Sequence, residues 1–170
     1  MDRVRFLAGE WWRPATAVLL HHDLPHLLSN VGIGMFFLGL AGGVFGAARA
    51  ILISLFSGIA ANIAGCLFHP GGYLGLGASG VVMGALGLLT CDSILHREST
   101  DTNLQRVGRG LAAGVLLLVL LGFDPHPTTD VLAHVLGFAF GLILGITTTL
   151  LSAPKSTLDE TLRPAAPQEP

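Results

Sequence analysis

Charged residues are scarce in this 170-residue sequence. Lys, Arg, Asp and Glu together make up 12% of it and hydrophobic residues 51%, whereas about 25% charged residues is usual for a soluble domain. This balance indicates that lipid is the solvent of the folded chain, and the length fits one compact domain. The net charge of −2 is small and unclustered, so the sequence does not imply nucleic acid as a partner.

Cysteine is also rare. Cys66 and Cys91 both lie in apolar runs, and neither belongs to a CxxC or Cys/His spacing. This context favours two small hydrophobic residues over a disulfide or a metal site.

The N-terminal segment lacks the pattern of a signal peptide. Glu10 and Arg13 interrupt the stretch that a signal peptide would need to keep apolar. Trp11 and Trp12, which lie between them, are typical of a segment at the level of the lipid headgroups. We expect residues 1–25 to form an interfacial segment on the outer face of a membrane.

Long runs without charged residues predict the membrane crossings. Residues 27–48 contain no Asp, Glu, Lys or Arg, which suffices for one crossing because about 20 apolar residues span the hydrocarbon core. The next uncharged run, 51–91, is twice as long, and the Pro and Gly residues within 69–72 divide it. We predict five transmembrane helices, at 27–48, about 49–68, about 79–95, 110–123 with the residues before it, and 131–151.

The predicted fold is an all-α, polytopic membrane helix bundle with its core at 26–151. The polar segment 92–109 is expected to be a solvated loop, and the polar, Pro-rich segment 152–170 a disordered tail. Four histidines fall in predicted loops or at helix ends and are expected to face solvent or the interface: His21, His69, His96 and His126.

Basic residues predict the orientation of the bundle. One group lies on one side of the five-helix arrangement: Arg49, Arg97, Arg106, Arg109, Lys155 and Arg163. The positive-inside rule makes this side cytoplasmic. We therefore expect a multi-pass protein of a bacterial inner membrane with a cytoplasmic C-terminus, and loops 69–77 and 124–130 on the outer face.

A serine between glycines interrupts the second uncharged run. In Gly77-Ala78-Ser79-Gly80, Ser79 falls at the start of a predicted helix, where free backbone N–H groups and the helix dipole suit an oxyanion. An ordinary N-cap serine would have the same position. The serine alone therefore leaves both a structural and a catalytic interpretation open.

His134 favours the catalytic interpretation. It is the ionisable residue of the last predicted span, and a polar group at that depth is expected to point into the bundle. Glycines follow both polar residues at helical spacing, Gly80 and Gly84 after Ser79, and Gly137 and Gly141 after His134. Such small-residue faces let two helices approach closely, so His134 could act as the general base of Ser79. Simple helix packing by the glycines is the alternative.

His26 and Asn30 lie four residues apart and share one face of the first predicted helix. Both can donate hydrogen bonds to the negative charge that develops in acyl transfer. His22 and His26 have the same spacing and would suit a metal, but no carboxylate or cysteine within the membrane completes such a site. We expect no metal.

Together these motifs resemble those of the rhomboid intramembrane serine proteases. The motifs are Trp12-Arg13, His26-x-x-x-Asn30, Gly77-Ala78-Ser79-Gly80 and Ala133-His134-x-x-Gly137-x-x-x-Gly141, in the order of the family along residues 10–151. The resemblance implies a catalytic dyad without a third acid, with Ser79 as nucleophile and His134 as its partner. It also implies an oxyanion hole of His26, Asn30 and the Ser79 backbone N–H, no cofactor, and transmembrane protein substrates cleaved near the outer face.

Two features differ from the family pattern. The family core has six helices, and this chain begins at the loop after the first. We therefore expect a preceding helix to be missing, either because the chain is truncated or mis-started or because it is a genuine five-helix form. The position four after the serine often holds an aromatic residue that stacks on the catalytic histidine, and here it is Met83. A thioether can pack on imidazole, so we expect tuning rather than loss of activity. His21 matches a loop histidine that is structural in the family.

Two other functions stay open. A non-enzymatic rhomboid-like protein would bind and escort membrane segments, although it would normally lack the serine or the histidine that this chain has. A small channel or transporter is disfavoured, because the polar residues cluster at one depth instead of lining a path across the membrane.

Overall fold

A computed structural model of the chain describes residues 1–69, 73–95, 102–123 and 129–152. These parts form seven α-helices: α1 (Arg3–Leu7), α2 (Arg13–Ala17), α3 (Leu24–Phe45), α4 (Ala47–Phe68), α5 (Ser79–Leu95), α6 (Asn103–Gly122) and α7 (Val131–Ser152). An isolated β-bridge joins Asp2 and Leu74. The predicted all-α class is confirmed, and α3 to α7 are the five long apolar helices expected from the sequence.

Four of the long helices have the length and composition of a membrane span. They are α3, α4, α6 and α7, each 20 to 22 residues long. α5 has 17 residues, about 25 Å at 1.5 Å per residue, and is the short central helix. It packs against α3, α4, α6 and α7, and its side chains from Val82 to Leu88 are buried. The described residues therefore form a multi-pass membrane bundle around a buried central helix.

The solvated loop predicted at 92–109 is wrong for most of its length. Asp92–Leu95 is the last turn of α5, and α6 begins at Asn103 rather than near 110. A capping box starts α6: Thr102 Oγ1 accepts a hydrogen bond from the backbone N–H of Gln105, and the Gln105 side chain accepts one from the N–H of Thr102. The remaining residues of that loop, 96–101, lie outside the described parts, as do 153–170 of the predicted tail.

The first 25 residues hold the two short helices α1 and α2 and the first two residues of α3. Trp11 is 76% exposed and Trp12 47% exposed, while Arg13 pairs with Glu10 at 2.6 Å. Asn62 of α4 donates a hydrogen bond of 2.9 Å to the carbonyl oxygen of Pro14. The segment is thereby tied to the bundle while its indole rings stay exposed.

α5 and α7 approach each other at backbone distance. A Cβ atom on Gly137 would overlap the carbonyl oxygen of Gly80, and one on Gly141 would overlap that of Gly84. Gly84 itself faces α4, where an added Cβ would lie 2.7 Å from Cβ of Ser57. Only glycine allows this separation, which sets how closely the first turns of α5 and α7 can meet.

Candidate active site

A cavity of about 330 Å³ lies at the end of the bundle where α3, α5 and α7 begin and α6 ends. Ser79, His134, His26 and Asn30 all line it. The structure thus brings together four side chains that three separate helices contribute. The cavity wall also includes an acidic residue that the sequence did not single out, Asp130.

Ser79 is the first residue of α5, directly after a tight bend. Gly77 has φ +118°, a conformation that favours glycine, and a Cβ there would lie 2.8 Å from Cε1 of His26. Its N–H donates to the carbonyl oxygen of Ala17 at 3.1 Å. Gly77 therefore lets the chain turn into α5 while the backbone passes next to His26. The first backbone N–H groups of such a helix have no acceptor within it.

His21 supports this bend from the N-terminal side. Its Nε2 accepts a hydrogen bond of 3.4 Å from the N–H of Ala78, and its ring contacts the ring of His26 edge to face at 5.2 Å between centroids. The sequence pattern predicted a solvent or interface position for His21, and the resemblance implied a structural role. In the structure it is half-buried and bridges the Ser79 loop to α3.

His134 is oriented by the end of another helix. It is 7% exposed, and its Nδ1 lies 2.6 Å from the carbonyl oxygen of Gly122, the last residue of α6. A carbonyl oxygen can only accept, so Nδ1 carries the proton and Nε2 of the neutral ring is the acceptor. The carbonyl is free for this bond because the last carbonyls of a helix have no partner within it. No feature of the sequence pattern singled out Gly122 as this partner.

Asn30 contributes a buried amide group to the site. The residue is 9% exposed, and its Nδ2 has no hydrogen-bond acceptor among the described residues. A buried N–H group without an acceptor costs about 1–3 kcal/mol. Asn30 lines the cavity beside Ser79, so this donor belongs to the wall of the cavity that also holds the candidate nucleophile.

Asp130 precedes α7 and accepts two hydrogen bonds. Its Oδ1 accepts from the N–H of Ala133 at 2.9 Å, as an N-cap residue does, and its Oδ2 accepts from the hydroxyl of Tyr73 at 2.5 Å. Burial, and then the bond to Asp130, raise the pKa of Tyr73 far above its ordinary value. An aspartate directly before the apolar helix is the sequence signal that could have identified this cap.

The remaining sequence candidates have simpler surroundings. Met83 is buried and lines the cavity. His22 is exposed, and among the described residues no three His, Cys, Asp or Glu side chains converge on a common point. His69 is exposed and its ring contacts Tyr73, whereas His96 and His126 lie outside the described parts.

The fold and the cavity define a class, a multi-pass membrane protein in which serine, histidine and asparagine residues line one cavity. Residues 8–150 match the family model of the Rhomboid domain. The chain belongs to the rhomboid family, a family of intramembrane proteases.

Individual relatives are similar over most of this chain. Rhomboid protease GluP of Bacillus subtilis (strain 168) is 34% identical over 116 residues, which cover 68% of this chain and 21% of that protein. RHOMBOID-like protein 7 of Arabidopsis thaliana is 31% identical over 137 residues, covering 79% of this chain and 42% of that protein. RHOMBOID-like protein 4 of the same plant is 31% identical over 137 residues, which cover 80% of this chain and 34% of that protein. This chain therefore spans less than half the length of each of these relatives.

Proposed function

We propose that this protein is an intramembrane serine endopeptidase that cleaves transmembrane protein substrates through a Ser79–His134 dyad. The observation that carries the proposal is the common cavity. Ser79 lines it at a helix start, His134 lines it with Nδ1 already bonded to Gly122, and Asn30 lines it with an Nδ2 that has no acceptor in the described parts of the chain. Family membership and the relatives named as rhomboid proteases support the same class of reaction.

The dyad would work by general base catalysis. Ser79 Oγ attacks the scissile carbonyl carbon while His134 Nε2 takes the hydroxyl proton. The Gly122 carbonyl holds Nδ1–H throughout and so keeps Nε2 as the basic nitrogen. The imidazolium then returns the proton to the leaving amine, which leaves an acyl-enzyme at Ser79. A water molecule, deprotonated by the same nitrogen, hydrolyses this ester and restores Ser79.

The oxyanion of each tetrahedral intermediate requires hydrogen-bond donors. We assign this role to Asn30 Nδ2, the His26 ring and the backbone N–H of Ser79, which belong to the same cavity wall. Each such donor, held in a site that largely excludes water, raises kcat by about 10²–10³-fold. The chemistry is acid–base and nucleophilic only, so the mechanism includes no cofactor.

The substrate is an apolar helix that must unwind. An amide within a helix is hydrogen-bonded and shielded, so Ser79 could attack it only after local opening. Substrates with Gly or Pro near the cleavage site should therefore be preferred, because these residues have the lowest helix propensity. The cleavage site should lie near the outer face of the membrane, since the basic residues Arg49 and Arg106 belong to the opposite end of the bundle.

Cleavage by purified variants tests the proposal. The protein would be incubated in liposomes with a single-span model substrate, beside Ser79→Ala and His134→Ala. We expect product only from the unmutated chain, because loss of the general base alone costs about 10²–10⁴-fold. A fluorophosphonate reagent should label the unmutated protein and not Ser79→Ala. Equal cleavage by all three proteins, or none by a well-folded unmutated chain, would contradict the proposal.

A further inference from the structure

Tyr73, the single tyrosine of the chain, occupies a slot between two glycines. It is 6% exposed. A Cβ on Gly65 of α4 would lie 2.8 Å from its hydroxyl oxygen, and a Cβ on Gly75 would overlap the same atom. Both glycines therefore leave the space that the ring fills. The ring crosses from the loop before Ser79 to the interior side of α4.

Its hydroxyl reaches the helix that carries His134. It donates to Oδ2 of Asp130 at 2.5 Å, and Oδ1 of the same carboxylate caps α7 through the N–H of Ala133. The backbone carbonyl oxygen of Asp130 also accepts a hydrogen bond of 3.1 Å from the backbone N–H of His134. One side chain thus joins the Ser79 loop to the first turn of α7.

The surroundings hold both ends of this connection in place. The carbonyl oxygen of Tyr73 accepts a hydrogen bond of 3.1 Å from the N–H of Arg3, and the N–H of Gly75 donates to the carbonyl oxygen of Met1 at 2.9 Å. Arg3 in turn bonds the Cys66 carbonyl of α4 at 2.7 Å. The loop is thus anchored to α4 and to the N-terminal segment, and the hydroxyl connects it to α7.

We propose that Tyr73 and Asp130 are a positioning pair that sets the separation of Ser79 and His134. Tyr73 is six residues before Ser79, and Asp130 is one helical turn before His134, so their hydrogen bond fixes both halves of the dyad relative to each other. The inference rests on the proposed function of that dyad. Neither residue takes part in the chemistry; each acts through the backbone that carries a reacting side chain.

Two substitutions test the pair through kinetics. Tyr73→Phe keeps the ring in its slot and removes only the hydroxyl, and Asp130→Asn keeps an N-cap residue while removing the charge. We expect kcat to fall about 10- to 100-fold in each, because small misplacements of reacting groups have effects of that size. KM should stay unchanged, and the double variant should lose no more than either single one. Fluorophosphonate labelling of Ser79 should slow in parallel.

Thr90→Val is the matched control. Thr90 is 3% exposed and donates to the Leu86 carbonyl at 2.9 Å within α5, away from the cavity, so its loss removes a buried hydroxyl bond of a structural kind. It should lower the unfolding temperature without slowing Ser79 labelling. Unchanged kcat and labelling in Tyr73→Phe would overturn the proposal. So would an equal loss of kcat and Ser79 labelling in Thr90→Val at a similarly lowered unfolding temperature.

The absorbance of tyrosinate gives a readout that does not need activity. Burial and the bond to Asp130 raise the Tyr73 pKa, so the folded protein should show no tyrosinate as pH passes about 10, where tyrosine in an unfolded chain ionises. Stability should fall above that pH, because the unfolded chain then releases a proton that the folded chain keeps. Asp130→Asn should shift the titration of the Tyr73 hydroxyl to lower pH. An unshifted titration curve would count against the interaction of Tyr73 with Asp130. If the unmutated protein cleaves nothing, the proposed function fails while this titration still tests the pair.

Discussion

Two buried asparagines differ in how their amide groups are satisfied. Asn62, 6% exposed, donates its Nδ2 to the carbonyl of Pro14, whereas Asn30, 9% exposed, has no acceptor for its Nδ2 among the described residues. A fold selected for stability alone would replace the second of these, since a buried unpaired N–H is unfavourable. The oxyanion role that we propose for Asn30 would account for its presence, because active sites often hold groups that weaken the fold.

This contrast predicts opposite effects of the same substitution. Asn62→Ala should lower the free energy of unfolding by about 1–3 kcal/mol, because the Pro14 carbonyl loses its partner. Asn30→Ala should leave the free energy of unfolding unchanged or raise it slightly, yet it should reduce kcat by about 10²–10³-fold. Denaturant unfolding in mixed micelles measures the first quantity and cleavage of a single-span substrate the second. A large stability loss in Asn30→Ala with full activity would contradict the oxyanion role.

At the scale of the helices, the contact between α5 and α7 controls the geometry of the site. A side chain on Gly137 would overlap the carbonyl oxygen of Gly80. In the same way, a side chain on Gly141 would overlap the carbonyl oxygen of Gly84. Backbone atoms of packed helices cannot move aside as flexible side chains do. A methyl group at this contact must therefore separate the two helices that carry Ser79 and His134.

Gly137→Ala should accordingly destabilise the bundle by about 1–3 kcal/mol or more and should abolish fluorophosphonate labelling of Ser79. Gly39→Ala on α3 is the matched control, because an added Cβ there meets no atom within 4 Å. It should be neutral or stabilise by about 0.5–1 kcal/mol through helix propensity. Similar unfolding curves for the two variants would show that the close approach of α5 and α7 does not limit stability.

The sequence predicted the helices better than their connections. The five helices predicted from the uncharged runs correspond to α3 to α7, because lipid requires long apolar helices with internally satisfied backbones. The start of α6 differs from the prediction because charged residues after 102 suggested solvent, whereas Thr102 and Gln105 form the capping box that begins the helix. A helix can extend beyond the hydrocarbon core with its charged residues exposed, so charge alone does not end it.

The same limit applies within the site. The glycine spacings after Ser79 and His134 indicated which helix faces could meet, since spacing on a helix is local geometry. Tyr73 with Asp130, and His134 with Gly122, lie in or next to loops whose paths the sequence pattern does not determine. Their contacts depend on where α4, α6 and α7 end in three dimensions. Residue type predicted the candidates, and tertiary packing determined their partners.

At the scale of the whole molecule, the two ends of the bundle differ in chemistry. The Ser79 end carries the cavity and the exposed Trp11 and Trp12. At the other end, Arg49 of α4 donates to the hydroxyl groups of Thr148 and Thr149 at 2.8 and 2.9 Å and lies 5.3 Å from the ring centroid of Phe45. Arginine at a helix end can extend to the headgroups while its stem stays in the apolar layer.

This asymmetry leads us to expect the cavity on the outer side and Arg49 on the cytoplasmic side. A cysteine added at one of two exposed positions tests this orientation. The two variants are Leu74→Cys, near the cavity, and Ala48→Cys, beside Arg49. A membrane-impermeant maleimide added to intact cells should label Leu74→Cys, and Ala48→Cys should react only after the membrane is opened. The unmutated protein is the control, because Cys66 and Cys91 are buried and should react with neither treatment. The reverse labelling pattern would put Ser79 at the cytoplasmic face and restrict its substrates to segments that open there.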